Sequence, residues 1–317
     1  MSGIHDSILD LIGNTPLVRL ERLRERHGFD ARVLAKLERA NPAGSSKDRI
    51  ALAMIEAAEA RGDLTPDSTI VELTSGNTGI GIAAVAAVKG YKTKIIMSSA
   101  VSAERAKLVR AYGAEVVILD ENEIPDSQRR AEADRIAAET PGGVQLIQGR
   151  NPANPAAHVA TTGPEIWRDT EGRVDVLVAS VGTGGTLSGT ARYLRQRNPK
   201  LHVVLVEPTW ESIPTEEHPH PARRIDGVHR ISEVDADVLP LTLDRSQVDE
   251  SIEVSIDDAY AAARELAAHE GILAGTSSGA ATWAAVQVAL RNERAGQTIV
   301  VVLPDTGERY LSTGLFG

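Results

Sequence analysis

The chain has 317 residues, 42% hydrophobic and 25% charged, an ordinary balance for a folded protein long enough for two cores. Its 44 Asp and Glu outnumber its 34 Lys and Arg, and the net charge of -10 disfavours general nucleic-acid binding. It has no cysteine, which excludes disulfides, thiolate metal sites and thiol nucleophiles.

Met1–Asp10 carries His5, Asp6 and Asp10 and lacks the basic-then-apolar pattern of an export signal. The longest apolar stretch, Gly79–Val88, is too short to span a bilayer. The expectation is a cytoplasmic protein with no membrane partner. His218 and His220 flank Pro219 beside Glu217, and an exposed loop suits that spacing better than a metal site, so no metal is expected.

Short β-branched runs alternate with helical patterns along the chain. Val33–Leu37, Thr69–Leu73, Lys94–Met97, Val116–Leu119, Val144–Gln148, Val174–Ser180, His202–Val206 and Thr298–Leu303 predict buried strands. Helices are predicted at Ser46–Arg61, Thr78–Lys89 and Ser102–Tyr112, each followed by a glycine suited to a left-handed cap: Gly62, Gly90 and Gly113. This alternation predicts an α/β protein with mostly parallel sheets flanked by helices. The two prolines of Asn151–Pro155 break the rhythm and mark the main boundary. Trp210–Ser232, with Pro214, Pro219 and Pro221, predicts a long surface excursion near a functional face.

In such sheets ligands sit beyond the carboxyl ends of the strands, so the turns there carry the chemistry. Asn41–Arg49 places Lys47 at the start of a helix, where a cation is disfavoured but a Schiff-base lysine is tolerated. A surface lysine paired with Asp48 is the plainer alternative. Thr74–Gly79 gathers hydroxyls, an amide and backbone N–H groups, a nest suited to a carboxylate or else a capped turn. Val181–Thr186 follows a strand and opens a helix. Its glycines let backbone approach an anion, as in a phosphate cradle, although a glycine-rich turn alone would look the same. The dinucleotide fingerprint is absent because Leu187 replaces its third glycine. Gly275–Gly279 sits between an apolar run and a helix and serves at least as a cap.

Together and in this order, these segments resemble the cysteine synthase (O-acetylserine sulfhydrylase) family of tryptophan-synthase-like pyridoxal-phosphate (PLP) enzymes. The resemblance runs from about Ile8 to the C-terminus. It includes Ile12–Val18, the Lys47 motif, Thr74–Gly79, Asn151–Pro155, Thr161–Glu165, Gly182–Thr186, Gly275–Gly279 and Gly307–Thr313. It implies two α/β domains with PLP in the cleft between them, usually in a homodimer. Residues 1–35 and 151–317 would form the larger, phosphate-binding domain, and 36–150 the smaller domain that closes on substrate.

By the same resemblance Lys47 carries PLP as a Schiff base and takes the substrate's α-proton. Gly182, Thr183, Gly184, Gly185 and Thr186 hold the phosphate, Asn77 meets the ring 3′-oxygen, and Ser277 faces the pyridine nitrogen. Thr74, Ser75, Thr78 and Gln148 grip the α-carboxylate. The implied reaction replaces the β-substituent of O-acetyl-L-serine with sulfide or thiosulfate.

Three departures bear on specificity. Gly149 replaces a bulky aromatic, which leaves room near the nucleophile. Met97–Ser102 lacks the family's proline and methionine, and Val101 is shorter. Ile225–Ile231 resembles the isozyme-B type, which uses thiosulfate; Gly227 and Arg230 would contact substrate, with His229 and Arg230 attracting a dianion. Alternatives are O-phosphoserine as donor, a bulkier nucleophile for a specialised amino acid, or a non-catalytic partner of serine acetyltransferase. Retention of Lys47, Asn77, Ser277 and the phosphate loop argues against the last.

Overall fold

Near-continuous runs of Val, Ile and Leu give strands that bury both faces. The computed structural model describes residues 3–74, 76–120, 122–124, 126–213, 223–232, 234 and 239–317. The first half runs β1 (Leu17–Arg19), α1 (Glu21–His27), β2 (Arg32–Leu37), α2 (Lys47–Arg61), β3 (Thr69–Leu73), α3 (Asn77–Lys89), β4 (Lys92–Ser98), α4 (Ala103–Ala111), β5 (Glu115–Leu119), α5 (Asp126–Glu139) and β6 (Gly143–Gln145). It continues with α6 (Ala153–Ala160), α7 (Thr162–Asp169), β7 (Val176–Ser180), α8 (Gly185–Arg195), β8 (His202–Pro208), β9 (Glu250–Val254), α9 (Ile256–Glu265), α10 (Thr276–Ala289) and β10 (Thr298–Leu303).

Among the described residues these strands form two sheets, ordered β1-β2-β10-β7-β8-β9 and β5-β4-β3-β6. Every pairing is parallel except β1 with β2. The pleat sends neighbours to opposite faces. On β10, Ile299 and Val301 join the core under α10, while Val300 and Val302 join the core under α7 and α8. In the smaller sheet Ile70 packs with Ile50, Met54 and Ile80, while Val71 packs with Ala133 and Ala137 of α5. Truncating a fully buried isoleucine such as Ile70 to alanine costs about 2–5 kcal/mol.

Two strands were not foreseen. β1 has only three residues, and β9 reads Glu-Ser-Ile-Glu-Val, a half-exposed sheet edge. β6 stops at Gln145, short of Gln148, because the buried Glu72 carboxylate accepts the N–H groups of Ile147 and Gln148 at 2.9 and 3.0 Å. Ile147 there takes a left-handed φ of 52°. α2 and α3 end at Gly62 and Gly90, both left-handed. No helix of the described residues is long and apolar enough to cross a membrane.

Candidate active site

Segments leaving the carboxyl ends of β2, β3, β7 and β10 converge on one cleft with about 830 Å³ of empty space, its open mouth included. Lys47, Asn77, Gln148, Gly182, Thr186 and Ser277 all line it, although they come from distant parts of the chain.

Lys47 is the first residue of α2 and half-buried. Its Nζ donates to Ser46 Oγ at 3.3 Å. Burial pushes its ammonium below the ordinary lysine range, against the opposing pull of Asp305 and Glu38. Asp48 does not act as its ion-pair partner. The Asp48 carboxylate turns inward to accept the Ala43 N–H at 2.6 Å, and burial raises it to about 6. The preceding loop is stitched to the end of β10: Ser46 N–H donates to Pro304 O at 2.8 Å, and Ser45 bridges Asp305.

Arg49 anchors the same helix. It bonds Glu38 at 2.7 and 2.8 Å and Glu165 at 2.6 and 2.8 Å, while Lys36 Nζ reaches Glu165 at 2.7 Å. Gly13 N–H donates to Asn41, Asn14 N–H to Glu165, and Thr15 Oγ1 to Glu38. The Ile12–Val18 and Thr161–Glu165 motifs therefore belong to a buried ion network under the lysine loop.

Gly182–Thr186 links β7 to α8. Gly184 caps α8 in the left-handed region at φ 82°. A side chain does not fit here: a Cβ on Gly182 would fall 2.3 Å from the Gly227 carbonyl oxygen, and one on Gly185 2.0 Å from Asn154 Oδ1. Bare backbone N–H groups at the start of an eleven-residue helix make an anion cradle. The sequence did not reveal what holds it. Asn154 Nδ2 donates to Thr183 Oγ1 at 3.1 Å and to Gln148 O at 2.8 Å. Thr242 Oγ1 donates to Thr183 O at 2.6 Å. His158 lies between Thr162 and Thr186 at 2.9 and 3.1 Å, and burial pushes its imidazole down to about 3.

Thr74, Thr78 and Gln148 line the same cleft, with Thr78 Oγ1 2.6 Å from Gln148 Oε1. Ser75, Pro214, Glu217, His218, Pro219, His220 and Pro221 lie outside the described residues. Among the described residues no cluster of three His, Asp or Glu side chains is arranged to hold a metal.

The structure separates His229 from Arg230. Gly227 and His229 line the cleft. Arg230 does not reach it: its guanidinium is buried, pairs with Glu253 at 2.7 Å and lies 4.4 Å from the centre of the Trp210 ring. Val101 packs against the core of the smaller sheet rather than lining the cleft. Among the described residues a Cβ on Gly149 would meet only Pro240, at 3.9 Å, so toward them the direction of the missing aromatic is open. Arg105, not foreseen, also lines the cleft and pairs with Asp226 at 2.9 Å.

A half-buried lysine, a glycine loop with no space for side chains and a helix-start serine, Ser277, all lining one cleft, fit an aldehyde cofactor carrying a phosphate. The family model described as pyridoxal-phosphate dependent enzyme matches residues 8–305. Cysteine synthase of Staphylococcus aureus is 44% identical over 315 residues, covering 98% of this chain and 97% of that protein. Cysteine synthase 3 of Caenorhabditis elegans is 44% identical over 309 residues, covering 97% and 88%. A crystal structure of O-ureido-L-serine synthase superposes with a TM-score of 0.88 at 41% identity, covering 99% and 95%. The chain belongs to the pyridoxal-phosphate-dependent enzyme family, and its cofactor is pyridoxal 5′-phosphate.

Proposed function

We propose that this enzyme catalyses β-substitution on an activated serine, converting O-acetyl-L-serine with sulfide or thiosulfate to L-cysteine or S-sulfocysteine. The observation that carries it is the single cleft joining Lys47, the Gly182–Thr186 cradle and the Thr78–Gln148 pair. When bound, the cofactor supplies an electron sink for negative charge developing at the substrate's Cα.

The chain's own residues do the rest. Lys47 carries the cofactor and then, as a free amine favoured by burial, takes the α-proton as general base. Gly182, Thr183, Gly184, Gly185 and Thr186 hold the phosphate, and Asn77 the ring oxygen. Ser277 faces the ring nitrogen with a neutral hydroxyl, which does not hold that nitrogen protonated as a carboxylate would. The balance then favours β-elimination over racemisation or transamination. Thr74, Ser75, Thr78 and Gln148 grip the α-carboxylate, Thr78 through its backbone N–H because its hydroxyl proton is given to Gln148, and Gly227 and His229 stand where the nucleophile enters.

The cleft lies between the two sheets, which supports closure of residues 36–150 over residues 1–35 and 151–317 with exclusion of water. β2 runs on to Leu37 within the larger sheet, which supports moving the break from residue 36 to the loop between β2 and α2. A cytoplasmic homodimer completes the reading, supported by the family and by the absence of cysteine.

A second reading keeps the chemistry and changes the nucleophile. The open direction at Gly149 and the likeness to O-ureido-L-serine synthase favour it. Purified enzyme offered O-acetyl- or O-phospho-L-serine with sulfide, thiosulfate or hydroxyurea separates the readings. Fastest product from O-acetyl-L-serine and a sulfur donor supports the first, and fastest product with hydroxyurea supports the second. No product from any pair would overturn both.

A further inference from the structure

The Gly307–Thr313 segment has no part in the chemistry above, yet it reaches the cleft. Arg309 is 2% exposed, and its guanidinium donates to Asn77 Oδ1 and to the carbonyl oxygen of Ala43 in the Lys47 loop. Asp305, 1% exposed, accepts from Asn77 Nδ2 at 2.8 Å and from the Tyr310 hydroxyl at 2.7 Å.

These two partners differ in kind. A guanidinium only donates, and a carboxylate only accepts. Arg309 can therefore meet only the oxygen of the Asn77 amide, and Asp305 only its nitrogen. Turning the amide over would set oxygen against carboxylate and N–H against guanidinium in a buried place, so the flipped state is strongly disfavoured. One N–H of Asn77 is taken by Asp305. The other is left to donate into the cleft, which Asn77 lines.

We infer that Arg309 and Asp305 are positioning residues that make Asn77 solely a hydrogen-bond donor to the cofactor's ring oxygen, favouring that oxygen in its ionised form. The inference rests on the reading that Asn77 meets the ring. Arg309 also ties α3 to the Lys47 loop through Ala43, so one side chain sets both the orientation of Asn77 and its placement beside Lys47.

The test uses the holoenzyme and its absorption bands, the longer-wavelength one belonging to the ionised ring oxygen. In Arg309→Gln the new amide both donates and accepts, so one of the two groups that orient Asn77 is lost and only Asp305 still opposes the flip. The ratio of long- to short-wavelength absorbance should then fall about tenfold, the weight of one hydrogen bond to a charged group. Arg309→Lys keeps a donor-only group and should stay within about twofold of wild type. Asp305→Asn removes the other of these two groups and serves if Arg309→Gln does not fold. Thermal melts of each variant report packing separately. A merely structural role predicts that both Arg309 variants lose stability and leave the ratio unchanged. An unchanged ratio in Arg309→Gln or Asp305→Asn, or an equal fall in Arg309→Lys, would overturn the inference. Asn77→Asp isolates the underlying reading: if that variant leaves the bands unmoved, Asn77 does not meet the ring.

Discussion

Thr78 Oγ1 donates to Gln148 Oε1 at 2.6 Å, joining the first turn of α3 to the turn after β6. The bond occupies the oxygen of the Gln148 amide and leaves its nitrogen as a donor on a residue that lines the cleft. Glu72 fixes the Gln148 backbone from behind. The side chain is thus oriented before any carboxylate arrives.

Gln148→Ala should therefore raise the KM for O-acetyl-L-serine by about tenfold or more, the loss of one charge-assisted hydrogen bond, with a smaller change in kcat. Thr78→Val, which frees the amide to rotate, should move KM the same way by less. Steady-state kinetics on both variants check this. An unchanged KM in Gln148→Ala would remove Gln148 from the carboxylate site.

The cradle has no space for a side chain. Gly185→Ala puts a Cβ 2.0 Å from Asn154 Oδ1, and Asn154 holds both Thr183 and the Gln148 carbonyl. Overpacking of this kind costs about 1–3 kcal/mol, so cofactor affinity should fall by about one to two powers of ten. Equilibrium dialysis against PLP measures it.

Burial alone would raise the Glu165 carboxyl, but the hydrogen bonds and charge of Arg49, with Lys36, outweigh it and hold the group at about 2, below its ordinary 4.5. A depressed folded value means that its stabilisation is complete above 4.5 and is lost as pH falls towards about 2. Glu165→Gln leaves Arg49 and Lys36 short of a counter-charge and should cost about 3–5 kcal/mol at neutral pH. Urea unfolding should show that gap narrowing as the pH is lowered through this window.

Arg230 is tied to Glu253 and Trp210, whereas His229 lines the cleft. Arg230→Ala should destabilise the fold by about 1–3 kcal/mol and leave the preference between sulfide and thiosulfate unchanged. His229→Ala should reduce thiosulfate use more than sulfide use. The ratio of initial rates with the two donors, alongside thermal melts, distinguishes the two side chains.

The two parallel sheets were legible because their central strands are continuous β-branched runs, and α2 and α3 because glycines cap them. β9 was hidden because Glu250–Val254 mixes charge into an edge strand. The turns at Thr74 and Gly182 could be read because they follow strands, and the one at Ser277 because it follows an apolar run and opens a helix; the fold brings all three to one cleft with Lys47. The partners that orient them were not legible. Asn77 and Arg309 are 232 positions apart, and Arg49 and Glu165 are 116 apart. No local pattern records such pairs. The adjacency of His229 and Arg230 misled for a related reason: successive residues of an extended segment point to opposite sides, one to the cleft and one to the core.

The central claim is β-substitution through a lysine-bound cofactor at Lys47. The most direct measurement follows the visible absorption of the holoenzyme while O-acetyl-L-serine and then sulfide are added. The account predicts that the band moves with the first, returns with the second as cysteine appears, and does neither in Lys47→Ala. A wild-type band indifferent to O-acetyl-L-serine, or cysteine formed at an undiminished rate by Lys47→Ala, would contradict it.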